Sequence, residues 1–126
     1  MLMVPHVVIP SLVHGLGVFA TKRIDKGTVV WRFISPPDYR MTEIEVAAAG
    51  ELWQHHRDVY GYKPIGESYI EFPGDAALFV NHSSAPNCIC NGPIDMVASR
   101  VIEPSEEILF NYFEFDQYPE SGGVLT

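Results

Sequence analysis

Asn81-His82-Ser83-Ser84-Ala85-Pro86-Asn87-Cys88 is the stretch that decides how this chain folds. It is a dense polar segment placed directly after the apolar run Leu78-Phe79-Val80. Polar side chains beside a core strand must find hydrogen-bond partners, because an unpaired buried amide costs several kcal/mol, roughly 2–7 by transfer estimates. Asn brings two donors and an acceptor, and neutral His one of each. The segment therefore has to grip something: another part of the chain, a polar ligand, or both. A Ser–His or Cys–His hydrolase is the competing chemistry. No G-x-S-x-G elbow is present, and adjacent His82 and Ser83 point apart on extended backbone.

Two further segments share this character. Gly15-Leu16-Gly17-Val18-Phe19-Ala20 matches G-x-G-x-x-A, the dinucleotide fingerprint, but the context is wrong. That fingerprint needs a following helix, whereas Val18-Phe19 favour a strand and Asp25-Lys26-Gly27 makes a turn five residues later. What survives is a pair of glycines that allow close backbone approach. Near the other end, Glu106-Glu107-Ile108-Leu109-Phe110-Asn111-Tyr112-Phe113-Glu114-Phe115 is acidic and aromatic. As one strand, it would place Phe110 and Tyr112 on one face and Phe113 and Phe115 on the other.

The remaining pattern is mostly short strands between turn residues. Strands are expected at 7–9, 17–21, 28–34, 68–72, 77–80, 88–90, 95–101 and 108–113. One helical insertion is expected from Thr42, where Thr42-Glu43-Ile44-Glu45 forms a capping box. Apolar residues at 44, 47, 48, 52 and 53 follow a helical period. Gly50 weakens the helix by about 1 kcal/mol relative to Ala, so two short helices or a bend are expected.

The 126 residues suit one domain, and 47% hydrophobic content is enough for a packed core. Eight basic residues against sixteen acidic give a net charge of −8, the wrong sign for phosphate-backbone binding, so no direct nucleic-acid contact is expected. The charge is uneven. Residues 1–63 carry seven basic and six acidic side chains, and residues 64–126 carry Arg100 and ten acidic ones. A cationic partner would be drawn to the second half. Cys88 and Cys90 are read as reduced thiols, since i, i+2 neighbours rarely meet disulfide geometry. The histidines have no metal-ligand spacing, so no metal is expected. No stretch is long enough to span a membrane, and Met1–His6 lacks the basic region of a signal peptide. The compartment expected is cytoplasmic, or nuclear in a eukaryote.

Taken together and in order, the three segments resemble the SET domain of protein-lysine methyltransferases, over roughly residues 5–116. Gly15 to Ala20, with Ile24 and Lys26-Gly27-Thr28, is similar to the family's opening segment. Asn81-His82-Ser83 with Pro86-Asn87 resembles its N-H-S-C-x-P-N signature, and Glu106 to Tyr112 its closing strand. The resemblance implies a mainly β, β-clip-like fold of small curved sheets with a C-terminal pseudoknot and a short helical insertion. Residues 1–126 would form a single SET domain, with a core of about 5–116 and a C-terminal tail of 117–126, whose last residues, 120–126, are expected to be loose.

The resemblance also assigns roles. The backbone at Leu16 and Gly17, with Asn81, His82 and Tyr112, would hold S-adenosylmethionine. Tyr112 would be the catalytic tyrosine, and Phe33, Phe110 and Tyr112 would line the channel for the substrate lysine. The substrate implied is a lysine in a basic protein or peptide. Ser84 stands where the family has Cys, and no Cys follows Cys90, so the cysteine-rich module that often closes the channel is missing. Leu78 replaces a common Arg, and Phe113 a common Gly. Phe113, Phe115 and Tyr118, or a second subunit in a homodimer, are left to cover the site. The alternative is a catalytically silent SET-like module that binds a peptide or the cofactor.

Overall fold

The structure, a computed structural model, describes residues 1–92 and 95–119. Its architecture follows from strands too short to build one large sheet. β1 (His6–Pro10) pairs antiparallel with β2 (Leu16–Ala20). β3 (Val29–Arg32) pairs with β8 (Asp95–Ala98), which also pairs with β7 (Cys88–Asn91), giving a three-stranded sheet. β4 (Tyr39–Thr42) and β5 (Tyr69–Phe72) form a third sheet. Apolar faces converge on one core that contains Val18, Val30, Cys88, Ile102 and Ile108, all fully buried. Removing these β-branched and aliphatic side chains from water is the main driving force for this arrangement.

The helical insertion forms as the sequence suggests. α1 (Glu43–Ala49) begins at a complete capping box: Thr42 accepts from the Glu45 amide and Glu45 accepts from the Thr42 amide, both at 3.0 Å. Gly50, at φ 99°, ends α1 and starts α2 (Glu51–Tyr60). That left-handed conformation is one a glycine adopts without steric cost. The insertion has its own small core of Val46, Ile70 and Phe72, flanked by Tyr39, Met41 and Trp53. Among the described residues, no helix is long and apolar enough to cross a membrane.

Two expected strands are different in the structure, each because a side chain caps a turn. Residues 76–79 form a 3₁₀ turn, not a strand, because the Asp75 carboxylate accepts the Ala77 amide at 3.1 Å. The closing strand is also shorter than expected. β9 is only Leu109–Phe110, after which the Asn111 side chain accepts the Phe113 amide at 3.0 Å and turns Tyr112–Glu114 into a 3₁₀ turn. Beyond it the C-terminal tail begins bonded: the Gln117 amide donates to the Lys63 carbonyl at 2.8 Å. The rest of that tail, 120–126, lies outside the described residues.

The crossing of the chain on itself is built by the polar segment. β6 (Asn81–His82) pairs parallel with β9, Asn81 beside Leu109 and His82 beside Phe110. Parallel neighbours need a long crossover, and here β7 and β8 supply it. Asn87 then holds the same segment again: its Nδ2 donates to the Glu107 carbonyl at 2.7 Å and its Oδ1 accepts the Leu109 amide at 2.9 Å. Only 1% of Asn87 is exposed, so water cannot replace either bond. Asn87→Ala would leave a buried N–H and C=O unpaired, at about 1–3 kcal/mol each. Chemical denaturation should show a loss of about 3 kcal/mol; a loss below about 0.5 kcal/mol, the range of neutral surface changes, would contradict this role.

Candidate functional site

The crossing brings several of the sequence-selected residues into direct contact. Asn81 Nδ2 lies 3.0 Å from the His14 carbonyl, 3.1 Å from the Leu16 carbonyl and 2.9 Å from Glu107 Oε2. Two N–H groups serve three acceptors, so one is shared, and the amide nitrogen is committed to the glycine turn. His82 Nδ1 accepts the Tyr112 amide at 3.0 Å. That bond requires a lone pair on Nδ1, so the ring proton sits on Nε2. Burial pushes the His82 pKa below its ordinary value of 6.5, in keeping with a neutral ring. Hydrogen bonds thus tie Asn81 to Leu16 and His82 to Tyr112, and Gly17 follows Leu16 in the same strand.

Tyr112 joins this group to a cavity on its other side. Its hydroxyl donates to the Val80 carbonyl, one residue before Asn81. Burial, reinforced by the charge of Asp116, pushes its pKa well above that of an ordinary phenol. The hydroxyl therefore stays protonated and fixed. The cavity measures about 250 Å³, and its wall includes Trp31, Tyr62, Tyr69, Phe110, Tyr112 and Phe115. Because of the turn at Asn111, Phe115 packs with Tyr112 (5.8 Å between ring centroids) and Phe110 (6.3 Å). The face-sharing expected of one long strand is therefore not what forms.

The other candidates lie elsewhere. Phe33 is absent from the cavity wall; its ring is half-buried beneath the Arg40 guanidinium, 4.0 Å from the centroid. Phe113 is 53% exposed and meets the edge of His82 at 5.5 Å, on the side away from the aromatic cluster of Phe110 and Phe115. Tyr118 borders a second cavity with Arg57, Asp58 and Asp116.

Several residues that sequence reasoning passed over shape the main cavity. The Tyr62 hydroxyl donates to Glu71, and Glu71 pairs with Arg40 at 2.9 Å. Arg40 lies between the rings of Phe33 and Tyr69, so the buried Glu71 charge has both an ion pair and a hydrogen bond. Glu71 sits in the apolar strand Tyr69-Ile70-Glu71-Phe72, and an acid in such a strand was the available signal. The wall also includes Phe115, Asp116 and Pro119, from a segment that pairs with 63–65. The Ile65 amide donates to the Phe115 carbonyl at 3.0 Å, and Asp116 Oδ1 accepts the Lys63 amide at 3.2 Å and the Tyr118 amide at 3.0 Å. Burial raises the Asp116 carboxyl pKa, and those two amides oppose the rise.

Charge around the cavity is graded. Glu71 is neutralised by Arg40, and Asp95 by a two-pronged contact with Arg32 at 2.7 and 2.9 Å. Glu67 and Glu114, also on the wall, are exposed. The cysteines are not reactive centres. Cys88 is fully buried with its thiol pushed up to about 12, and Cys90 faces Met96 at 3.4 Å between sulfurs. Among the described residues, no group of three or more His, Cys, Asp or Glu is placed to hold a metal.

Comparison with known proteins agrees with this geometry. A family model described as the SET domain matches residues 15–113, from the glycine turn through the closing aromatics. Human histone-lysine N-methyltransferase 2D is 31% identical over 122 residues, covering 86% of this chain and 2% of that protein. The H3 lysine-4 specific histone-lysine N-methyltransferase of Schizosaccharomyces pombe is 30% identical over 134 residues, covering 92% of this chain and 13% of that protein. The chain thus spans a small part of the curated relatives it matches. Among solved structures, a humanized mutant of the Chaetomium thermophilum Polycomb Repressive Complex 2 superposes with a TM-score of 0.68 at 19% identity, over 92% of this chain and 16% of that one. An active polycomb repressive complex 2 in the basal state gives 0.65 at 21% identity, over 86% and 15%. At such identities the likeness is one of fold. With its family match covering most of its length, this chain belongs to the SET domain family.

Proposed function

We propose that the chain is an S-adenosylmethionine-dependent protein-lysine N-methyltransferase acting on a lysine in a basic protein segment. The observation that carries this reading is Tyr112, whose amide is held by His82 while its ring lines the aromatic cavity. One residue thereby touches both the Asn–His segment and the place where a lysine would enter.

The residues on the cofactor side fit that group chemically. Leu16, Gly17, Asn81, His82 and Tyr112 offer backbone and neutral polar groups, with Phe113 as an exposed aromatic face. None of them is cationic at neutral pH, which disfavours a pyrophosphate cofactor and suits one carrying a sulfonium. When bound, that cofactor would supply an electrophilic methyl group. The chain's contribution is to align and deprotonate the amine. A lysine amine must lose its proton before attack, and its ordinary pKa is about 10.4. The seven aromatic wall residues, Tyr60 among them, penalise the ammonium and lower that value. Exposed Glu67 and Glu114 attract the cation from solvent, while the buried acids Glu71 and Asp116 are, respectively, neutralised by Arg40 and raised in pKa by burial. The Tyr112 phenol stays protonated, so it is no general base and serves to orient the reacting groups.

Because the relatives are histone-lysine N-methyltransferases, histone tails are the first basic substrates to try. The acidic second half of the chain supports a cationic partner. Phe115 and Asp116 in the cavity wall support a cover from the chain itself over one from a second subunit. A catalytically silent binding module is the second reading. Retention of the linked Asn81, His82 and Tyr112 set favours activity.

Radiolabelled methyl transfer to mixed basic proteins tests the proposal, with Tyr112→Phe expected to lose about tenfold or more in kcat, at least about 1.4 kcal/mol of barrier. Cofactor binding without any transfer would instead support the silent module. Phe110 carries no hydroxyl to hold a water beside the amine, so di- or trimethyl product is expected in mass spectra. Phe110→Tyr should shift the product toward monomethyl; monomethyl product alone, unchanged in the variant, would refute the assignment.

A pH dependence follows from His82. Its folded pKa lies below 6.5, so in the window beneath that value the unfolded chain binds a proton that the folded chain does not. The stability contributed by the neutral ring is present above about 6.5 and is lost as pH falls through the depressed folded value. Thermal melts between about pH 5 and 8 should show a steeper acid loss for the native chain than for His82→Asn, whose Oδ1 accepts without titrating. Parallel profiles would remove His82 from this role.

A further inference from the structure

Glu107 occupies an unusual place. Its backbone belongs to the chain crossing, where its carbonyl accepts Asn87 Nδ2 at 2.7 Å and it bridges Phe19. Its side chain reaches the opposite way, under the glycine turn. Oε1 accepts the Ser11 hydroxyl at 2.7 Å and Oε2 accepts Asn81 Nδ2 at 2.9 Å. Glu106, its neighbour, instead pairs with Arg100 at 2.9 Å. The two acids of the closing segment therefore do different work.

Gly17 shows how tightly this carboxylate is set. A Cβ at Gly17 would stand 2.4 Å from Glu107 Oε2 and 3.0 Å from the Ser11 Cβ. Real Cβ atoms do not approach so closely, so the missing side chain at Gly17 makes room for the carboxylate. The turn it supports has little else to hold it. Leu12 is 106% exposed, and Val13 and Leu16 are exposed too, so apolar burial contributes almost nothing to the position of residues 12–16. The turn is closed by polar contacts. The Ser11 amide donates to the Gly15 carbonyl at 2.8 Å, Ser11 Oγ accepts the Val13 amide at 2.9 Å, and Asn81 takes the His14 and Leu16 carbonyls. Ser11 and Asn81 both end on Glu107.

We infer that Glu107 is a positioning residue for the 11–17 turn: it transmits the fixed geometry of the chain crossing to the backbone that receives the cofactor. This inference rests on the proposed cofactor role of Leu16 and Gly17. Glu107 acts through Ser11 and Asn81, and its hydrogen-bonding pattern is what matters. A Gln can keep both contacts without the charge: its oxygen accepts from Asn81, and its amide donates to Ser11 Oγ, which reverses the direction of that bond.

Amide hydrogen exchange on the cofactor-free chain, together with calorimetry using S-adenosylmethionine and S-adenosylhomocysteine, tests this in Glu107→Ala, Glu107→Gln and Ser11→Ala. Ser11 lies at the edge of the turn, so its variant keeps the test alive if Glu107→Ala fails to fold. In Glu107→Ala and Ser11→Ala, exchange across residues 12–17 should quicken by about tenfold or more, the scale of a lost charge-assisted hydrogen bond, with β7 and β8 unchanged. Both cofactor forms should weaken by a similar factor, and Glu107→Gln should restore affinity to within about threefold, well under that loss. Unchanged turn exchange and unchanged affinity in both variants would overturn the inference. So would a Glu107→Gln as weak as Glu107→Ala, because charge would then matter and not position. A native chain that binds neither compound would instead retire the proposed function on which the inference stands.

Discussion

The buried grip of residues 81–87 on the closing segment is the constraint from which the rest of the structure follows. Asn87, with 1% of its surface exposed, satisfies a carbonyl at Glu107 and an amide at Leu109. Asn81 and His82 add a short parallel ladder to the same residues. Strands only two residues long contribute little alone, so paired side-chain amides take over the work of a longer ladder. Because β7 and β8 lie between the joined segments in sequence, the crossing ties distant parts of the chain into one core.

The site is a consequence of that crossing. Toward the glycine turn the polar segment is hydrogen-bonded, through Asn81, to two backbone carbonyls and the Glu107 carboxylate, while Val80 and Tyr112 beside it line an aromatic cavity with acidic edges. Tyr112 sits at the boundary, held by its amide to His82 and by its hydroxyl to Val80. The charge balance suits two cationic ligands meeting there: exposed carboxylates gather charge at the surface, and the buried ones are paired or raised in pKa. The five acids on the cavity wall, Glu67, Glu71, Asp95, Glu114 and Asp116, all come from the acidic second half of the chain.

What could be read from the sequence was local in origin. The capping box at Thr42 and the break at Gly50 depend on neighbours a few residues away, and both formed. The strands of the main core were visible through β-branched and aromatic residues, and the three-motif order revealed the family. The misses were of two kinds. Residues 76–79 and 112–114 carry strand-forming side chains, yet Asp75 and Asn111 cap turns there, a local preference that outweighed composition. The strand Tyr39–Thr42 and the buried acids depended on distant partners. Glu71 needs Arg40, 31 residues away, and Asp116 needs the Lys63 amide, 53 residues away. For the same reason Phe33 was placed in the channel by resemblance, whereas Arg40 covers its ring and Tyr62 and Tyr69 stand in the wall instead.

A crystal structure of the chain with S-adenosylhomocysteine and a lysine-bearing basic peptide tests the central claim most directly. The expected result places the sulfur beside the Leu16–Gly17 backbone and the Asn81–His82 segment, with the lysine amine reaching it through the aromatic cavity past Tyr112. Both ligands on one side of Tyr112, or a peptide bound away from the cavity, would contradict the claim that the chain crossing builds the site.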